Sequence, residues 1–297
     1  MADIPYIGEI FSFLCSILWA VAVIFFRKSG RFTKPFALNF FKNTIASILF
    51  ILTSILLGKA LFINAPLRDF LLLAVSGIIG IALADTLFFQ ALNRMGASLT
   101  QIVNCLYMPI MIALSFLFLN ETFSLMQFIG TGLIILAINI STRKSADFKS
   151  SKKDLYIGML LAFLSMLLMA IGVIMIKPIL ASYPVLWCTQ IRLISGTIGM
   201  AIVAFILKDR RVIFSTFKPS KNWKYLIPGS AIGAYLAMII WLAGIKYTQA
   251  NIASAINQTN VIFVFIFASI FLDEKFTTRK LIGVILSFTG VLLVTLG

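Results

Sequence analysis

The chain has 297 residues, 61% of them hydrophobic and only 12% charged, with a formal net charge of +15 at pH 7. A soluble domain is roughly half apolar and a quarter charged, so this composition excludes a water-soluble core of ordinary kind. The apolar runs have the roughly 20-residue length of a membrane-crossing helix. They are not the ~10-residue alternating segments of a membrane β-barrel.

Ten spans follow in chain order, at 7–26, 36–57, 70–92, 98–119, 122–141, 155–176, 184–207, 225–246, 251–272 and 277–296. The first lacks a basic leader and a small-residue cleavage site, and reads as a retained helix rather than a signal peptide. Connections are short except 142–154 and 208–224, both polar and basic. Neither has room for a soluble domain. The loops after the odd-numbered spans carry 19 Lys and Arg, whereas the other side carries only Lys59, Arg68, Lys177 and Lys246. The positive-inside rule makes the first side cytoplasmic and places both termini outside. The basic excess is therefore a topology signal and an attraction for anionic membrane lipid. No groove-reading motif accompanies it, so no nucleic-acid partner is expected.

Cys15, Cys105 and Cys188 are scattered within spans and read as small packing residues, neither a disulfide framework nor a metal site. The absence of histidine removes the commonest metal ligand and the usual near-neutral proton relay. No metal or cofactor is expected. There is no nucleotide-binding motif, so ATP does not drive this protein directly. An enzyme would need clustered acids, histidines or a nucleophile with its base, and the chain offers ten acids, mostly in loops.

Sliding the sequence against itself shows a repeat at an offset of 150 that drifts to 153. Phe13, Leu14, Leu18, Ala20, Val23 and Ile24 recur as Phe163, Leu164, Leu168, Ala170, Val173 and Ile174. Ala97, Phe118, Leu119, Phe123 and Gly130 recur as Ala250, Phe271, Leu272, Phe276 and Gly283. Apolar coincidences are cheap here, so the weight rests on three rarer pairs: Lys42 with Arg192, Asn104 with Asn257, and Glu121 with Glu274. Five spans per repeat is an odd number, so the second half enters the membrane in the opposite sense. The expected fold is an all-α integral membrane protein of ten transmembrane helices arranged as two inverted five-helix repeats. Such architectures place a substrate near the midplane between the halves.

The stretch 88–138 combines an Ala-Leu pair (Ala91, Leu92), a small residue (Ala97), a helix holding Pro109, a Leu-x-Glu (Leu119, Glu121) and a Gly-rich helix (Gly130, Gly132). With Trp19-Ala20 in the first span and a looser second copy at 241–293, it resembles the EamA module of the drug/metabolite transporter superfamily. The second copy departs by having Ile262 in place of Pro109 and Asp273-Glu274 where the family more often shows Gly-Glu. The resemblance covers the whole chain, as one module over 1–144, a basic linker at 145–153 and a second module over 154–297. It implies a transporter of small metabolites, with export favoured over uptake, and it does not name the cargo. Short loops fit a multi-pass protein of the plasma membrane, in a bacterium the inner membrane.

Ionisable groups inside a membrane are costly and each needs a reason. Asp85 is either a coupling carboxylate or counter-charge for a substrate amine, or else an acid paired with Lys42 or Arg192. Lys42 and Arg192, at matched repeat positions, are either cationic clamps for a carboxylate or side chains that snorkel to the interface. Gln101, Asn104, Tyr107, Asn257, Gln258 and Asn260 cluster on the fourth and ninth spans. There they either line one cavity or hold helices together by hydrogen bonds. Glu121 and Glu274 precede new helices and read as caps. Trp19 and Tyr235 are deep enough to stack a planar or cationic group, while Trp241 suits the interfacial belt. Gly77, Gly80, Gly196, Gly283 and Gly290 suit close helix packing. The leading reading is a secondary carrier of a small molecule, as monomer or homodimer. The competing class is a membrane scaffold or lipid-interacting protein with no path through it.

Overall fold

The computed structural model describes residues 6–59, 63–119, 124–142, 152–248, 253 and 256–296. The first half comprises α1 (Ile7–Ser29), α2 (Pro35–Leu56), α3 (Leu67–Met95), α4 (Ala97–Asn104), α5 (Tyr107–Leu119) and α6 (Leu125–Thr142). The second comprises α7 (Lys152–Ile174), the short α8 (Lys177–Ser182), α9 (Val185–Ile206), the short α10 (Arg210–Ser215), α11 (223–247), α12 (Asn260–Phe271) and α13 (Thr278–Leu296). Among the described residues nine helical runs are long and apolar enough to cross a membrane, counting α4 and α5 as one, and α12 is a shorter apolar helix. The ten-helix architecture of two inverted repeats stands.

Some edges move. The third span lengthens from 70–92 to Leu67–Met95, and the sixth starts three residues early, so Lys152 and Lys153 of the linker already belong to α7. The rest of the linker and Glu121 lie outside the described residues.

The burial pattern is that of a protein solvated by lipid. Phe118, Phe128, Phe205 and Ile206 are between 64% and 77% exposed, whereas Asn39, Asn43, Ser16 and Ser165 are fully buried. Lipid tails are as apolar as leucine, so burial of apolar area cannot hold these helices together, and close approach through small residues takes over. A Cβ on Gly130 of α6 would lie 2.5 Å from the Gly290 carbonyl of α13, and one on Gly290 would lie 2.7 Å from the Gly130 carbonyl.

The contacts obey the repeat. Gly172 of α7 meets Gly80 of α3, and the equivalent pair Ala22 and Gly233 joins α1 to α11. Gly158 meets Met95 just as Gly8 meets Thr248. The first helix of each half thus packs on the third helix of the other. Ser47 Oγ and Thr197 Oγ1, separated by the repeat offset of 150, hydrogen-bond to each other at 3.2 Å. Two equivalent points can touch only beside the symmetry axis, so the pseudo-two-fold passes between α2 and α9 there.

Both third helices widen at matched places: Ile78–Leu83 in α3 and Ser230–Ala237 in α11 are wound as π-helices. Such bulges disturb the regular backbone bonding and often mark functional regions. The other half supplies a donor near each: Ser165 Oγ donates to the Ala84 carbonyl at 2.7 Å, and its counterpart Cys15 Sγ donates to the Ala237 carbonyl at 3.3 Å. Cys15 therefore does more than fill space.

Candidate functional site

The fourth spans do not run through. In the first half the helix stops at Asn104, turns at Cys105–Leu106 and restarts at Tyr107; in the second it reaches Asn257, turns at Gln258–Thr259 and restarts at Asn260. The two breaks match at the offset of 153. Pro109 has no N–H to bond the carbonyl one turn back, which accounts for the first. Ile262 occupies the same place in the second. Tightened bonds span the turns, from Leu106 N–H to Val103 at 3.0 Å and from Thr259 N–H to Ile256 at 3.0 Å.

Each break presents an amide. Asn104 Nδ2 donates to Gln101 Oε1 at 3.0 Å, which leaves its Oδ1 buried with no donor; Asn257 Oδ1 is likewise buried without one among the described residues. Thr259 Oγ1 is tied to Ser16 Oγ of α1 at 2.8 Å. Asn104 and Tyr107 lie on either side of a turn rather than on one helical face, as do Asn257 and Asn260.

A second group gathers at the wide turn of α3. Lys42, 5% exposed, forms an ion pair with Asp85, whose side chain is 17% exposed, and its ammonium sits 5.5 Å from the centre of the Phe89 ring. Of the alternatives for Asp85, pairing with Lys42 is the one observed. Asn39, one turn before Lys42, donates to the carbonyls of Ile81 and Ala82, both at 3.0 Å and both within the π-helical stretch. Arg192 reaches the same stretch from α9. Its Nη2 lies 3.2 Å from where a Cβ on Gly80 would be, with Tyr107 and Asp85 within electrostatic reach.

Lys42 and Arg192 each lie five residues from the axial pair Ser47 and Thr197, about 7.5 Å along the helix. The helices run in opposite senses, so one cation falls in each half of the membrane.

The remaining predicted residues stand apart. Tyr235 packs edge-on against Phe50, and its hydroxyl is 2.5 Å from Thr53 Oγ1. Trp19 is half-buried on α1 and makes no hydrogen bond among the described residues. Sequence reasoning missed Asn39, Asn43 and Ser47, although their spacing of four along an apolar helix marks one polar face.

Glu274 is a cap, but of a different helix from the one expected. Its carboxylate accepts from Ala97 N–H at 2.6 Å, Ser98 N–H at 3.2 Å and Ser98 Oγ at 2.7 Å. Lys280 Nζ stands 3.6 Å away. It therefore closes the N-terminus of α4, across the boundary between halves, rather than that of α13. Gly96 turns into α4 with φ +84°, and a Cβ there would lie 2.6 Å from the carboxylate.

A cavity of about 630 Å³ opens at the basic face, between the α1–α2 connection and the segment holding α10, where Lys34, Lys221 and Tyr225 line it. None of the predicted site residues does. Its walls are connecting segments and the helix ends next to them at that face, whereas the buried unpaired amides and charges lie deeper within the spans, so the chemistry is placed with the latter.

Inverted repeats, interrupted helices and buried polar groups between the halves define a polytopic membrane protein of the inverted-repeat class. The EamA-like transporter family matches the chain twice, over 6–143 and 156–296, and the chain belongs to that family. It is 22% identical over 288 residues to an uncharacterised transporter of Archaeoglobus fulgidus, covering 96% of each chain. It is 27% identical to an uncharacterised transporter of Synechocystis, covering 76% of this chain and 65% of that one. A protein known from a crystal structure shares the fold at a TM-score of 0.68 and 15% identity, over 97% of this chain and 96% of its own. The protein is thus a multi-pass transporter-family member of the plasma membrane.

Proposed function

We propose that this protein is a secondary carrier that moves a small organic solute, an amino acid or a related metabolite, by alternating access, with export as its working direction. The observation that carries this reading is the matched interruption of the two fourth spans at 105–106 and 258–259, each beside an asparagine whose carbonyl oxygen is buried without a donor. Interrupted helices at the boundary between repeats are where carriers hold their cargo. A scaffold has no use for paired unfilled acceptors.

In this reading the halves 1–144 and 154–297, joined by 145–153, exchange conformations about the axis beside Ser47 and Thr197. Asn104, Tyr107, Asn257, Gln258 and Asn260 line the path, Gln101 steadies Asn104, and Trp19 and Tyr235 supply aromatic wall. Lys42, Asp85 and Arg192 set its charge.

The test is counterflow in liposomes loaded with candidate solutes. Accumulation of labelled solute by wild-type vesicles, reduced about fivefold in Asn104→Ala and Asn257→Ala, is expected if each loses about one hydrogen bond's worth of binding, about 1 kcal/mol. Flux equal to that of protein-free vesicles for every solute would remove the reading. Failure of a water-soluble maleimide to label Asn104→Cys or Asn257→Cys, in a cysteine-free background, would favour a sealed scaffold.

A further inference from the structure

The two halves are alike in their cations and unlike in their acids. Lys42 and Arg192 are repeat equivalents, but the equivalent of Asp85, at the offset of 153, is Met238. The first half therefore supplies an acid for its own cation at this position, and the second half supplies none for Arg192. Other cations of the bundle have partners: Arg94 pairs with Asp154 at 2.6 Å and Lys280 with Glu274 at 3.6 Å. Among the described residues Arg192 has no carboxylate within ion-pair distance and its side chain makes no hydrogen bond, and its Nε is buried without an acceptor.

Snorkelling does not account for it. The guanidinium lies against Gly80, near the middle of the membrane-crossing α3, rather than stretched toward either interface. A cation held at that depth with no ion-pair contact among the described residues, and only the already paired Asp85 within electrostatic reach, is costly, and such residues mark substrate or ion paths.

We infer that Arg192 is the seat of a carboxylate on the transported solute, an inference that rests on the carrier reading above. The guanidinium is a single charge with a planar fork of donors, which suits one carboxylate in two-point contact. A phosphate dianion would call for a second free cation, and Lys42 is already held by Asp85. Tyr107, within electrostatic reach of the guanidinium, supplies a further donor at the same place. The remainder of the solute then faces the amide carbonyls of the broken helices, which accept from an N–H or O–H donor.

The test uses acid and amide pairs of equal shape: propionate with propionamide, nicotinate with nicotinamide, alanine with alaninamide. Thermal unfolding of the purified full chain is followed with each. At least one acid should raise the melting temperature by about 2 °C or more while its amide does not. Arg192→Gln should abolish the shift and Arg192→Lys should keep part of it. Without ligand, Arg192→Gln should melt no lower than wild type, because it removes an uncompensated charge. Amides acting as strongly as acids, no acid acting at all, a response surviving in Arg192→Gln, or a ligand-free collapse of that variant would each overturn the inference. Counterflow separates the two readings. Transport of amides unaffected by Arg192→Gln would leave the carrier standing and sink the carboxylate seat, whereas absence of all flux would sink the carrier itself.

Discussion

The hydroxyls of Ser47 and Thr197 stand 3.2 Å apart, although 150 residues separate them and each is the other's equivalent in the repeat. A pair beside the two-fold axis is mapped onto itself when the halves trade conformations, so its separation stays constant through a transport cycle. A pair whose members are not repeat equivalents has no such protection.

This yields a cross-linking prediction. In a background lacking the native cysteines, Ser47→Cys with Thr197→Cys joined by a short bifunctional reagent should retain most of its counterflow. Ser98→Cys with Glu274→Cys, which ties the basic-face ends of the two halves, should lose it on cross-linking and regain it when a cleavable linker is cut. Flux stopped equally by both links would refute an axis at Ser47.

Removal of the Glu274 cap should be felt in stability. Glu274→Ala deprives Ala97 N–H and Ser98 N–H of their acceptor and should cost about 1–2 kcal/mol, the usual loss at a helix N-terminus. Glu274→Gln retains an acceptor oxygen and should lose less. Gly96→Ala combines a strained positive φ with collision against the carboxylate, and should exceed Glu274→Gln in cost. Thermal melts in detergent rank the three.

Lys42 and Asp85 should show the asymmetry of a buried ion pair. Either Lys42→Met or Asp85→Leu alone leaves a buried charge and should destabilise by about 3–5 kcal/mol, whereas the double variant should approach wild-type stability. A double variant as unstable as the sum of the singles would mean that the two residues do not act together.

Gly130 and Gly132, two residues apart on α6, should respond in opposite directions. A methyl on Gly130 meets the Gly290 carbonyl, and overpacking of this sort costs about 1–3 kcal/mol. Nothing lies within 4 Å of a Cβ on Gly132, so Gly132→Ala should gain up to about 1 kcal/mol of helix propensity. Unfolding of the two alanine variants, measured side by side, decides it.

Much of this was legible in the sequence because the signals were local or periodic. Span number followed from the length of apolar runs, and the inverted repeat from three rare pairs in register. The break at Asn257 was hidden, since nothing around Gln258–Thr259 lacks an N–H or forces a turn, and Ile262 even argued against one. The trans-acting cap was hidden for another reason. Spacing shows that Glu274 is close to its own next helix, but proximity to Ala97, 177 residues away, comes only from how the halves pack. Asp85 could be narrowed to two partners, and only the three-dimensional arrangement selected Lys42.

The interlocking of the halves also bears on how the protein is made. Ser165 satisfies the Ala84 carbonyl, and the contacts of α3 with Gly172 and of α6 with Gly290 all belong to segments synthesised later. While the ribosome is still producing α7 onward, the nascent first half must keep its glycine-lined grooves filled with lipid tails or a membrane chaperone. The seam between α6 and α13 closes only once the last helix has been inserted, so a truncated chain lacking α13 should be recognised by quality control as unfinished, however well its earlier helices have crossed the bilayer.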